Sequence, residues 1–138
     1  MKYHTRFKNF HPKTISAVKY LMREWQSRDQ WILMETSCWR LCELYGMPRV
    51  DVHKDCTAGD GFYQPSTRTI HMTKPSIITF LHEFRHAMQH LIHKQVDPDI
   101  EVDARAWSLS LYFVVAPRTL KRLVREGQVF HTTINDFE

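Results

Sequence analysis

The stretch LHEFRHAMQHLIH, residues 81–93, holds four histidines and one glutamate in thirteen positions. At about 100° per residue, one arc of a helix drawn through it and the turn before it is filled by Ile77, Phe80, Leu81, Phe84, Ala87, Met88, Leu91 and Ile92. His82, His86, Gln89 and His93 fall in the opposite arc, with Glu83 and His90 on one flank of it and Arg85 on the other. Such a helix packs its apolar side into a core and turns its histidine side to a cleft. The fold must therefore supply something for that apolar arc to pack against.

Upstream, RVDVHKDCTAGDGFYQPSTRTIHMTKP, residues 49–75, alternates apolar and polar positions and gathers turn residues at AGDG and QPS. Two or three short antiparallel strands in a small sheet are expected there. Earlier still, Ile15, Val18, Leu21, Met22 and Trp25, then Trp31, Met34, Cys38, Leu41 and Tyr45, recur with helical period up to Gly46. They predict two helices from about Thr14, or one bent helix. Downstream the pattern predicts helices near 75–93, 99–116 and 118–126. Residues 1–13 read as a flexible basic arm. Together these make a single α+β domain, a size that 138 residues with 43% apolar and 25% charged side chains can support.

Several function classes recede on composition. The basic start has no apolar segment behind it, and the longest apolar run, LYFVVA at 111–116, is far too short to span a bilayer, so a cytoplasmic protein with no membrane partner is expected. Cys38, Cys42 and Cys56 are odd in number and lack zinc-ribbon spacing, which suits reduced, buried thiols. A net charge of +4 permits nucleic acid as a partner without demanding it. The basic stripe Arg118, Lys121, Arg122 and Arg125 reads as a solvated helix face. Oligomeric state is not encoded in any pattern we find.

His82, Glu83 and His86 form HExxH, in which two imidazoles at i and i+4 point from one helix face toward a single Zn²⁺ while the glutamate is placed as a general base. His90 and His93 lie beyond that ion's reach and continue the polar face. A catalytic zinc needs a third protein ligand. DPDIEVDARAWSLSLYFVVAP, residues 97–117, offers Glu101 and Asp103. Glu101 has a structural reason to exist in an i,i+4 ion pair with Arg105. Asp103 falls among Ala106, Trp107, Ser110 and Val114, where an unpaired carboxylate would need a cation, so Asp103 is the preferred third ligand. Ala106 and Ser110 would let this helix approach the histidine helix closely.

HExxH followed by an acidic residue directly before a small one on the next helix resembles the zincin metallopeptidases of the gluzincin type, and in layout the small ImmA/IrrE-like intracellular zincins. TRTIHMTKPSIITFLHEFRHAMQH and DARAWSLSLYFVVAP carry the resemblance, which spans roughly residues 48–117. It implies a minimal zincin-like fold, a zinc cofactor and a peptide or protein substrate, with Asp103 where the family has its ligating glutamate. Arg85 departs from the family's frequent glycine; it either steers an acidic substrate group or pairs with an acid elsewhere.

The resulting expectation is a zinc peptidase with His82, His86 and Asp103 as ligands and Glu83 as base. An extended substrate would add to the strand at 67–73. His71, Tyr63 and Arg85 are the candidates for binding substrate or stabilising the oxyanion. The alternative is a regulatory module, binding DNA or protein, whose metal is structural or vestigial.

Overall fold

A computed structural model of the chain describes residues 2–55, 59–129 and 132. The expected α+β class holds: the described residues form five α-helices and a small three-stranded mixed sheet. Cys56 lies outside them. No helix among them is long and apolar enough to cross a membrane.

The two periodic stretches at the start are separate helices, α1 (Pro12–Glu24) and α2 (Gln30–Tyr45). His11 caps the first by accepting from the Lys13 N–H, and Asp29 caps the second by accepting from the Ile32 N–H. Gly46, left-handed at φ 65°, ends α2. Cys38 and Cys42 are buried on α2 as free thiols, and Cys38 donates to the Val50 carbonyl at 3.4 Å.

The sheet comprises β1 (Asp51–Lys54), β2 (Gly61–Gln64) and β3 (Thr69–Met72) in the order β1-β3-β2. Its pairing departs from the antiparallel expectation in one respect. β2 and β3 form an antiparallel pair, but β1 joins β3 in parallel, leaving β3 in the centre. Strand addition at β3 is thereby corrected: both its edges are already paired. Alternation sorts the faces. Val52, Ile70 and Met72 are buried, whereas the register sets His53 and Phe62 beside His71 on the other side.

The histidine stretch is α3 (Ile77–Ile92), opened by Ser76 accepting from the Thr79 N–H. Phe80, Leu81, Phe84 and Ala87 are fully buried, as the wheel demands, each large side chain contributing about 1.5–3 kcal/mol of transfer free energy. His93, exposed at the end of the polar face, is the left-handed C-cap at φ 55°. The next helix is α4 (Ile100–Val115), capped by Asp99, and α5 (Pro117–Arg125) follows a proline start. On α5, Leu120 and Val124 are buried and Arg118, Arg122 and Arg125 are exposed.

The expected loose arm is docked. A 3-10 turn at Tyr3–Thr5 lies along α4, where Ser110 donates to the Tyr3 carbonyl at 2.9 Å and accepts from the Phe7 N–H at 3.2 Å. His4 is buried edge-on against Phe113. Ser110 thus receives the N-terminal segment, and not α3 as its small size suggested.

Candidate metal centre

α3 and α4 together bring three side chains that could ligate a metal to one point. His82 and His86 are one turn apart on α3, their rings 5.0 Å between centroids, and Glu101 reaches across from the first turn of α4. One carboxylate oxygen of Glu101 lies 2.8 Å from His86 Nε2 and the other 3.3 Å from His82 Nε2. All three donor atoms lie within 4.8 Å of one another. Neighbouring donors on a tetrahedral zinc with bonds of about 2.0 Å stand about 3.3 Å apart, so this spacing suits that ion.

Asp103, the expected ligand, is not brought to the histidines. It is 0% exposed and paired with Arg85, whose Nε donates to Oδ2 at 2.8 Å and whose Nη2 donates to Oδ1 at 3.3 Å. Gln89 Nε2 and the backbone N–H groups of Val96 and Asp97 complete its shell. Burial pushes the Asp103 carboxyl up, but the bonds from Arg85, Gln89 and Val96 outweigh it and hold the pKa below its ordinary value. A buried carboxylate did need a cation; Arg85 is that cation. The guanidinium lies over the rings of Phe7 and Trp107, so the docked N-terminal segment seals the pair. Arg85 is correspondingly removed from the oxyanion candidates: it is buried in this pair.

Glu101 was set aside in the sequence for an ion pair with Arg105. That guanidinium instead lies over the Tyr3 ring, which frees Glu101 to face α3.

Gln89 links the two carboxylates and escaped notice as anything beyond a polar-face residue. Its Nε2 donates to Asp103 Oδ2 at 2.8 Å and to the Ile100 carbonyl at 3.0 Å, both acceptors, so its Oε1 must face His86. Oε1 sits 2.8 Å from His86 Nδ1, which places the proton there and the lone pair on Nε2. That lone pair points at a Glu101 oxygen 2.8 Å away. Two acceptors this close repel unless a proton or a metal ion joins them. Burial, with the charge of His86 second, pulls the His82 pKa down to about 4 against the pull of Glu101, so at neutral pH the His82 imidazole also offers a lone pair. The signal for Gln89 was its i+3 spacing from His86 on the same arc.

Glu83 is buried beside this centre. Burial first, then the Glu101 charge, pushes its pKa up to about 8, partly offset by a hydrogen bond from the Tyr63 backbone N–H of β2. Tyr63 also bonds His90 Nδ1 through its hydroxyl at 2.9 Å. Of the oxyanion candidates, Tyr63 alone borders the centre. His71 lies on the opposite face of the sheet, with its ring nitrogens against Asp55 and Gln64.

No protein-family model matches the chain, and no curated protein or solved structure matches it either.

Proposed function

We propose that the protein is a zinc-dependent peptidase acting on peptide bonds of a protein substrate. The observation that carries the reading is the convergence of His82, His86 and Glu101 with Glu83 beside them, buried and unused by any ion pair of its own among the described residues. A metal held only for structure needs no such neighbour.

In this reading His82, His86 and Glu101 hold Zn²⁺, which when bound polarises a carbonyl and lowers the pKa of a coordinated water. Gln89, held by Asp103, keeps His86 in the tautomer that presents Nε2. Without metal the raised pKa keeps Glu83 protonated at neutral pH; a bound Zn²⁺ would lower it toward neutrality, so that Glu83 accepts a proton from water and returns it to the leaving amine. Because the Tyr63 N–H points to Glu83, one edge of β2 borders the centre, and an extended peptide would pair there by strand addition.

The test loads wild type and Glu83→Gln with zinc, offers each a mixture of unstructured peptides of diverse sequence, and reads new termini by mass spectrometry. Glu83→Gln should keep its zinc and lose about 100-fold or more of the cleavage rate. Equal cleavage by the variant would remove Glu83 as base. A zinc-loaded wild type that cleaves nothing would favour a structural metal.

A further inference from the structure

On the outer face of the sheet, away from α3, a second group of donors meets. His53 on β1 and His71 on β3 are register partners, their rings 5.9 Å between centroids and nearly perpendicular, and Asp55 follows directly after β1. One Asp55 oxygen contacts His71 Nδ1, the other lies 3.8 Å from His53 Nδ1, and the three donor atoms fall within 4.8 Å of one another.

We propose that His53, Asp55 and His71 form a second divalent-cation site, separate from the HExxH centre. His71 is built for the part: its ring is stacked on Phe62 at 4.7 Å, and its side chain is only 14% exposed. Gln64 Oε1 lies 2.8 Å from His71 Nε2; with the proton on Nε2, the Nδ1 lone pair faces Asp55, and a cation would join the two. This is the arrangement seen at the first centre, where a glutamine amide orients an imidazole whose other nitrogen meets a carboxylate. Two imidazoles and one carboxylate are borderline donors that select zinc over calcium or magnesium. His53 and Asp55 are about half exposed, so the ion keeps water on its open side and exchanges with solvent. A cation here pins the chain that leaves β1 to the central strand. Residues of the HExxH centre take no part in it, so the two sites are separable.

The experiment titrates Zn²⁺ into metal-free His82→Ala/His86→Ala protein by calorimetry, alone and with His53→Ala or Asp55→Asn added, with Ca²⁺ as control. One zinc should bind with no response to calcium, and either added substitution should weaken it at least about tenfold. No zinc bound in the double variant, or binding indifferent to both added substitutions, would overturn the proposal. Should the double variant fail to fold, metal analysis of the otherwise intact His53→Ala protein decides, because His53 is exposed. Zinc content one ion per chain below wild type supports the site, and equal content overturns it.

Discussion

Glu101 and Asp103 stand two residues apart in the first turn of α4, carry the same functional group, and end in opposite settings. Asp103 is fully buried and bonded on both oxygens, whereas the Glu101 carboxylate is 58% exposed and meets two imidazoles among the described residues. A 200° rotation around the helix axis separates them. The buried one supports the fold and sets the geometry; the exposed one is the one free to bind. A carboxylate that already has its cation is a poor ligand, however well its position suits the part.

The comparison can be broken most forcefully at its buried end. Asp103→Ala leaves Arg85 charged and unpaired between two aromatic rings, and should cost about 3–5 kcal/mol in denaturant unfolding. Replacing both partners, as in Arg85→Met/Asp103→Leu, should recover much of that loss. If Asp103→Ala leaves stability unchanged, the pair is not what holds α3 to α4.

At the exposed end the pattern should invert. Glu101→Ala should weaken zinc binding by more than about 100-fold, beyond what loss of an outer-sphere partner costs. The stability of its metal-free form should stay within about 0.5 kcal/mol of wild type. Retained zinc affinity would return the third-ligand question to Asp103.

Gln89 joins the two carboxylates and should show a mixed effect. Gln89→Leu removes the acceptor for His86 Nδ1, and competition with a chelator should report zinc affinity lower by about 10–100-fold. Wild-type affinity would mean that His86 needs no orienting partner.

The smallest effect is a pH dependence of the metal-free protein. The folded pKa of Glu83 is raised to about 8, so above the unfolded carboxyl pKa the folded state holds a proton the unfolded chain has released. Stability from this group is full below the unfolded value and is lost as pH rises toward 8. His82 works oppositely: its folded pKa near 4 adds stability as pH rises toward the unfolded imidazole value of about 6.5. Between about pH 6.5 and 8 His82 no longer changes its charge, and Glu83 should lower stability by about 1–2 kcal/mol. Glu83→Gln should flatten that window, and a slope surviving in the variant would point to another group.

Periodicity made α3, its buried face and the HExxH triplet legible, because each depends on residues within about one turn of each other. The stop of α2 at Gly46 was equally local. The sheet's alternation could be read, but not which strand sits in the middle, since register between strands separated by turns is a long-range choice. Glu101 was misread because its i,i+4 neighbour Arg105 offered a local explanation. Arg105 found Tyr3, about a hundred residues away in sequence, and no spacing rule reaches so far.

By itself, the sequence determined that one helix would present two imidazoles and a glutamate on a polar side and bury the other. It also determined that a carboxylate among apolar neighbours on α4 would require a positive charge. Only the tertiary structure decided which positive charge that was. An arm read as loose brought Phe7 down on Arg85, closed the water out, and made the Arg85 guanidinium the strongest partner within reach of Asp103. With that charge satisfied, the histidines were left to Glu101, because a buried ion pair cannot give up one partner without leaving the other unpaired in a medium that solvates it poorly.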